Sequence, residues 1–179
     1  LDKLIRALAM QIGSEVNYQE LAGLTGTDCK TIERYIDLLV KCYILFPLGA
    51  YSTNLRNEIK KSRKIYFCDL GIRNAVINNF TSLDSRTDAG GMWENYLIIE
   101  RFKKIRNLPF PPRTFFWRTL APQSHEIDYL EEAQGQLYAW EIKLRPNSKA
   151  RIPQAFLKAY PNAVTNILTP DYFDHFLLD

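Results

Sequence analysis

Three short segments in the last third of the chain have the two-residue periodicity of β-strands. They restrict the fold more than any other feature. They read TFFWRTL (114–120), HEIDYLEE (125–132) and QLYAWEIKL (136–144), with a hairpin-like break at 134–136. Because successive side chains on a strand point to opposite faces, Glu126 and Asp128 share one face, and so do Glu141 and Lys143. An acid and a cation side by side in an aromatic-rich strand leave three interpretations open: a solvated edge, a structural ion pair or a metal site.

The segments around these strands indicate a mixed sheet with helices. A helical pattern (91–105) ends at the proline-rich LPFPPR, a second one (148–160) follows the strands, and a fourth strand is expected at 163–170. The order α, β, β, β, α, β predicts an α/β (α+β) fold for residues 69–179.

The first sixty residues have the pattern of a helix-turn-helix. After a first helix, Asn17 is placed to cap a second one that stops at Gly26, and Thr27 is placed to cap a third helix over 27–42. In such motifs the exposed N-terminal end of the third helix meets DNA, and its outward residues here are Lys30, Thr31 and Arg34. A plain three-helix bundle with solvated charges fits these helices equally well.

A basic connection after the third helix favours a winged helix over residues 1–68. It joins two predicted strands, YILFPLG and SRKIYFCD, and a basic wing would suit phosphate contacts. A solvated loop or a domain-packing surface is the alternative. The cations of the connection are Arg56, Lys60, Lys61, Arg63 and Lys64.

Composition and the number of cysteines indicate the class of protein and the cell compartment. With 46% hydrophobic and 24% charged residues, the chain is expected to be globular, and it carries no membrane segment or signal-peptide pattern. Three scattered cysteines without a CxxC pair are typical of a reducing cytoplasm. The chain contains no GxxxxGK[ST] motif, so ATP binding through a P-loop is not expected of it. It starts at Leu1 inside a helical pattern, which indicates a piece of a longer protein.

A glutamate early in the 91–105 helix, an aspartate on a strand and an E-x-K on the next strand resemble the core of PD-(D/E)XK nucleases. The corresponding residues are Glu94, Asp128, Glu141 and Lys143. More broadly, the chain resembles the C-terminal portion of a family of prokaryotic AAA-type ATPases, in which a P-loop ATPase domain precedes a winged helix and a nuclease-like domain. The matching landmarks, in order, are Lys64, Asp69, Gly71, Gly91, Glu94, Trp117, Arg118, Glu126, Asp128, Glu141 and Lys143.

The resemblance implies a Mg²⁺ or Mn²⁺ site for phosphodiester cleavage. Asp128, Glu141 and Glu94 would supply oxygen ligands, with the Ile142 carbonyl as a further one. Lys143 would orient the attacking water or steady the phosphate, and Arg118 would hold the DNA backbone. ATP would bind only in the absent N-terminal domain, which would be a partner together with DNA, and an oligomer is possible.

Three classes of function therefore stay open at this stage. The first is a metal-dependent nuclease region of an ATP-driven DNA-processing machine. The second is a DNA-binding module whose nuclease-like fold serves only for docking. The third is an interaction domain that recognises a protein and regulates the ATPase.

Overall fold

The structure is a computed structural model that describes residues 1–52, 63–119, 125–145 and 150–178. One short 3₁₀ turn, Leu83–Ser85, precedes the longest helix. The helices and strands of the described residues are, in chain order, α1 (Asp2–Met10), β1 (Glu15–Val16), α2 (Tyr18–Thr25), α3 (Cys29–Lys41), β2 (Leu45–Ala50), β3 (Arg63–Phe67), α4 (Leu70–Val76), α5 (Ala89–Ile105), β4 (Arg113–Arg118), β5 (Glu126–Ala133), β6 (Gln136–Ile142), α6 (Gln154–Ala159), β7 (Val164–Leu168) and α7 (Asp174–Leu178).

The seven strands form one mixed sheet in the order β1-β3-β2-β4-β5-β6-β7. β1 pairs with β3, β4 with β5 and β5 with β6 in antiparallel fashion, whereas the pairs β2–β4 and β6–β7 are parallel. The mixed α/β class and the order α, β, β, β, α, β predicted for the second half are confirmed. Within the described ranges, no helix has both the length and the apolar character needed to cross a membrane.

The chain divides into two compact units, which consist of the described residues within 1–48 and 62–95 and of those within 49–61 and 96–179. In the first unit, apolar residues of α1, α2 and α3 pack with β2 and β3 around one core. Its fully buried members include Leu8, Leu21, Ile32, Ile36 and Phe67. The predicted domain boundary between residues 68 and 69 stays a prediction.

Helices α2 and α3 are joined by a short turn whose caps differ in part from the expected ones. Asn17 caps α2 as predicted, since its Oδ1 accepts from the Gln19 amide at 2.9 Å. Thr27 does not cap α3; it lies in the turn after the left-handed Gly26, where its amide donates to the Ala22 carbonyl. Asp28 takes that role by accepting from the Thr31 amide at 3.0 Å, so the cap of α3 lies one residue later than predicted.

The second unit has a core on each face of its strands. On one face, Phe115, Trp117, Ile127 and Leu130 pack against Phe156 of α6. On the other face, the rings of Tyr129, Trp140 and Phe176 pack in tilted and edge-to-face arrangements at centroid distances of 5.1–5.8 Å. Helix α6 is shorter than predicted and begins only after Pro153, because the residue before a proline is disfavoured in helical conformation.

Candidate functional site

The β5–β6 hairpin closes through a tight turn and opens towards its other end. Gln134 and Gly135 have φ angles of 50° and 81°, and positive φ at both central residues is typical of a type I′ turn. From there the strands pair regularly up to Tyr129 and Trp140, where the described ladder stops. The next residue on each strand is acidic: Asp128 on β5 and Glu141 on β6.

A bulge in β5 sits at the same place. β4 pairs Phe115 with Leu130 but Trp117 with Ile127, so Asp128 and Tyr129 together lie opposite a single β4 residue. An extra residue of this kind locally changes where side chains point. Ile127 and Leu130 accordingly pack in one core cluster although they are three positions apart.

Asp128 turns its carboxylate towards the main chain of β6. Its Oδ2 accepts from the Ile142 amide at 2.8 Å, and the residue is only 8% exposed. A buried amide needs an acceptor, and here a side chain supplies it at the point where the two strands part. The position of this carboxylate is therefore fixed by the backbone.

Glu141 and Lys143 complete a compact cluster with Asp128. The Lys143 ammonium lies 2.6 Å from Glu141 Oε1 and 3.8 Å from Asp128 Oδ2, and the Lys143 amide donates to the Leu168 carbonyl. Glu141 Oε2 is buried and has no hydrogen-bond partner among the described residues. Burial and the neighbouring Asp128 charge raise the pKa of Glu141 to about 7, against the opposing effect of Lys143, and Glu126 adds to the increase.

The pKa of Glu141 predicts a pH-dependent contribution to stability. The pKa of Glu141 is about 7 in the folded chain and 4.5 ordinarily. Between these two pH values the folded chain keeps a proton that the unfolded chain releases. The contribution is thus full below pH 4.5 and is lost as the pH rises through about 7. We expect the melting temperature of the wild type to fall relative to that of Glu141→Gln over this range. Thermal denaturation at several pH values checks this, with Glu132→Gln, at a partly exposed position, as a control that should follow the wild type.

Glu94, the fourth residue of the predicted set, belongs to the first unit and is hydrogen-bonded there. Its Oε1 accepts from the Tyr66 hydroxyl at 2.6 Å and from the Lys64 ammonium at 3.2 Å. Its other oxygen faces Gly13, where an added Cβ would stand 3.4 Å away. A metal-binding role of Glu94 stays a prediction.

The predicted DNA-contacting residues differ in their exposure and contacts. Lys30, Arg34 and Arg63 are exposed, and Arg118 is half-buried at the end of β4. Thr31 donates its hydroxyl to Asp28 at 2.8 Å. Arg56, Lys60 and Lys61 lie outside the described residues.

Lys64 is placed differently from the surface position that was predicted for it. It is 2% exposed, and its ammonium is paired with Glu94. β3 is buried on both faces from Lys64 to Phe67, so this lysine is not available to a phosphate.

Two polar networks were not anticipated from the sequence. Arg101 forms a double hydrogen bond to Glu131 at 2.8 and 2.9 Å, and Glu131 also accepts from the buried Tyr129 hydroxyl. Asn95 exchanges two 2.8 Å hydrogen bonds with the backbone of Phe67. The two-residue spacing of Tyr129 and Glu131 on β5 was a signal for the network of Arg101. No pattern in the sequence indicated the network of Asn95.

Two carboxylates lie close to one ammonium in the second unit. Mg²⁺ and Mn²⁺ favour carboxylate oxygens, and Asp128 and Glu141 bring two carboxylates together with one buried oxygen unpaired. In the part of the chain that the structure describes, no group of three or more His, Cys, Asp or Glu side chains is arranged to hold a metal ion.

Comparison with known proteins finds two domain families. Residues 1–83 match a domain of unknown function, DUF8612, and residues 89–172 match another, DUF4143. The chain resembles both. The DUF4143 match runs from α5 to β7 and beyond, so it contains the cluster of Asp128, Glu141 and Lys143.

Three relatives of the chain are named as uncharacterized proteins. The proteins Rv2008c of Mycobacterium tuberculosis and Mb2031c of Mycobacterium bovis are each 28% identical over 138 residues, which cover 76% of this chain and 30% of theirs. The protein MJ1637 of Methanocaldococcus jannaschii is 27% identical over 115 residues, which cover 62% of this chain and 24% of its own. The chain thus spans less than a third of these relatives. No solved structure matches it.

Proposed function

We propose that this chain is the DNA-binding and nuclease-like C-terminal region of an AAA-type ATPase. In this proposal the second unit supports metal-dependent cleavage of a phosphodiester. The observation that carries it is the convergence of Asp128, Glu141 and Lys143 where β5 and β6 part. DUF4143 domains occur in regions C-terminal to AAA-type ATPases, which supports the same assignment.

Asp128 and Glu141 would hold the Mg²⁺ or Mn²⁺ ion. The unpaired Glu141 oxygen gives the ion a buried ligand, and the hydrogen bond from Ile142 keeps the Asp128 carboxylate in place. When bound, such an ion lowers the pKa of a coordinated water and neutralises charge on a phosphate.

The chain's own residues have distinct roles around this pair. The Lys143 side chain is 37% exposed, so its ammonium can meet a phosphate oxygen and orient the attacking water. Arg118 lies at the end of β4, next to Glu126 in the sheet register, and is the candidate for holding the DNA backbone.

The first unit would serve as a winged helix. Helices α2 and α3 are separated by a short turn, and Lys30 and Arg34 are exposed near the start of α3. β2 and β3 are neighbours in the sheet, as the two strands of a wing would be. The basic connection between them would contact phosphates.

DNA binding by this unit is expected to be electrostatic. Replacing Lys60, Lys61 and Arg63 with alanine should weaken binding more than replacing Lys30 and Arg34, and should flatten the dependence of affinity on salt. Removing one phosphate contact is expected to reduce the logarithmic salt slope by about 0.9. Fluorescence anisotropy at several salt concentrations measures both. Affinity unchanged by the wing substitutions would instead support a protein-binding role.

Cleavage is tested with supercoiled plasmid. The purified chain is incubated with plasmid in Mg²⁺, in Mn²⁺ and in chelator, and we expect nicked circles only with metal. Lys143→Ala should not nick the plasmid. Nicking of equal rate by the wild type and Lys143→Ala would exclude the proposed site as its source.

A second candidate function, a protein-binding module that regulates the ATPase, has one specific observation in its favour. Leu38 and Tyr43 are 50% and 66% exposed on and just after α3, and Tyr35 lies one turn before Leu38. Glu33 and Asp37 are also exposed on this helix. Apolar and acidic side chains there fit a protein surface better than DNA.

The length of the relatives supports a proposal about a larger assembly. This chain aligns with 30% of each mycobacterial protein, which leaves room for an ATPase domain in a longer protein. We propose that ATP binds in that domain, that the protein works in the cytoplasm, and that the ATPase domain is a partner of this chain.

A further inference from the structure

The connection between α5 and β4 holds a tip of apolar residues, 108–111, in solvent. Phe110 is 85% exposed and Leu108 is 46% exposed, and the prolines on both sides of Phe110 are exposed as well. No role proposed for the second unit uses this tip. Apolar side chains that are exposed next to one another are typical of a surface that a partner covers.

The tip is held in a restricted conformation. α5 ends at Ile105, and the Leu108 amide donates back to the Ile105 carbonyl at 3.0 Å. Three of the residues 109–112 are prolines, whose rings fix φ, and β4 begins directly afterwards at Arg113. Because the tip has little conformational freedom to lose, ordering it in a complex costs little free energy.

The segment that carries the tip is basic. From Lys103 to Arg113 the chain has four cations and no acidic residue. Arg106 and Arg113 are exposed on either side of the tip. The Lys104 ammonium is buried and has no hydrogen-bond partner among the described residues, and its charge adds to the positive potential of the segment.

The acidic groups paired with this segment do not prevent contacts with phosphates. Lys103 pairs with Glu100 at 2.7 Å, and Arg113 pairs with Glu132 at 3.2 Å. All four side chains are 30–53% exposed, and ion pairs at such positions are weak. The two cations can therefore exchange these partners for the phosphates of a polyanion.

An apolar tip between cations is complementary to duplex DNA, in which stacked bases lie between two rows of phosphates. Proteins that bend DNA insert phenylalanine, leucine or proline side chains between base steps, while cations contact the backbone. Single-stranded DNA is instead bound on several aromatic side chains, on which successive bases stack. Phe110 is the one aromatic residue from Arg106 to Arg113 in the sequence, so the tip fits a duplex better.

We propose that the tip is a wedge that inserts Phe110 between two base pairs of duplex DNA, with Arg106 and Arg113 on the flanking phosphates. Insertion unstacks one base step and kinks the duplex. The inference rests on the proposed function, because that function supplies DNA as the partner. It gives the second unit a DNA contact that is separate from the cluster of Asp128, Glu141 and Lys143.

The dependence of affinity on salt distinguishes the wedge from its flanks. In fluorescence anisotropy with a labelled duplex, Phe110→Ala should weaken binding about tenfold and leave the logarithmic salt slope unchanged, because it removes stacking but no charge. Arg106→Ala should reduce the slope by about 0.9, since it removes one phosphate contact. Phe110→Trp keeps an aromatic wedge and should bind like the wild type.

Phe80→Ala is the matched control. Phe80 is 68% exposed in the first unit, and its replacement should leave duplex affinity unchanged. Because Phe110 is 85% exposed, Phe110→Ala should have the melting temperature of the wild type, which thermal denaturation checks.

Insertion itself is measured with 2-aminopurine, a base whose fluorescence rises when it is unstacked. A set of duplexes carries this base at successive positions. The wild type should raise the fluorescence at one or two adjacent positions, and Phe110→Ala should not raise it at any. No rise with the wild type, at a protein concentration that saturates the duplex, would overturn the wedge.

Further outcomes separate the wedge from the proposed function. Equal duplex affinity of the wild type and Phe110→Ala would overturn the wedge and leave DNA binding by the first unit in place. Tighter binding of single-stranded DNA than of duplex, lost in Phe110→Ala, would overturn it in favour of a stacking platform. Binding to phosphatidylglycerol vesicles that is lost in Phe110→Ala, with DNA affinity unchanged, would assign the tip to a membrane surface instead. A wild type that binds no duplex would overturn the proposed DNA-binding function together with the wedge.

Discussion

Asp128→Asn is expected to lose Mn²⁺ binding and plasmid nicking while the fold stays intact. The asparagine oxygen can still accept from the Ile142 amide, so stability should fall by only about 1 kcal/mol. Removing a direct carboxylate ligand should weaken Mn²⁺ binding by more than about 100-fold, beyond the loss typical of supporting residues. Calorimetric titration with Mn²⁺, plasmid nicking and urea denaturation measure the three quantities.

Two further substitutions at the cluster make this prediction specific. Asp128→Ala removes the acceptor of the buried Ile142 amide as well as the charge, so it should cost about 1–3 kcal/mol of stability. Lys143→Ala removes the competing ammonium and should bind Mn²⁺ at least as well as the wild type, although it does not nick. Equal nicking by Asp128→Asn and the wild type would point to a contaminating nuclease or another site.

Breaking the Arg101–Glu131 pair is expected to destabilise the second unit more than any substitution in the Asp128 cluster. Both side chains are largely buried, with 15% and 5% exposed, and Glu131 also accepts from Tyr129. Arg101→Ala or Glu131→Ala leaves a buried charge without its counterion, which typically costs about 3–5 kcal/mol. Urea denaturation, monitored by tryptophan fluorescence, measures this loss, since the Arg101 guanidinium lies over the Trp140 ring.

A more exposed ion pair between β4 and β5 is the matched control. Arg113 and Glu132 are 51% and 30% exposed, and Arg113→Ala should cost less than about 1 kcal/mol. The double variant Arg101→Met with Glu131→Leu should regain part of the loss, because apolar replacements remove both buried charges together. A loss below about 1 kcal/mol for Arg101→Ala would show that the pair contributes no more than a surface ion pair.

Local patterns in the sequence were sufficient for much of the fold. Alternation and the Gln134–Gly135 turn predicted the β5–β6 hairpin, and Asn17 marked the start of α2. Each of these signals depends on residues within a few positions of one another. The same local reasoning placed Glu141 and Lys143 on one face, and their ammonium–carboxylate distance of 2.6 Å is consistent with that.

The predictions were less complete where the outcome depends on distant residues. Lys64 belongs to a basic run, but its place on β3 turns it towards Glu94, thirty positions later in the chain. Arg101 and Glu131 are separated by the same interval, and no local pattern pairs them. The bulge at Asp128 was equally hidden, because it arises from the register between β4 and β5.

The hydrogen bond from the Ile142 amide to Asp128 makes one main-chain group a reporter of the carboxylate pair. The proton and nitrogen chemical shifts of this amide depend on the charge of the Asp128 oxygen that it faces. In a nuclear magnetic resonance spectrum of a ¹⁵N-labelled sample, its peak therefore reports on the Asp128 carboxylate. Mg²⁺, being diamagnetic, can be titrated against that peak without broadening it. The occupancy of the site can thus be read in the absence of DNA, of turnover and of any added probe.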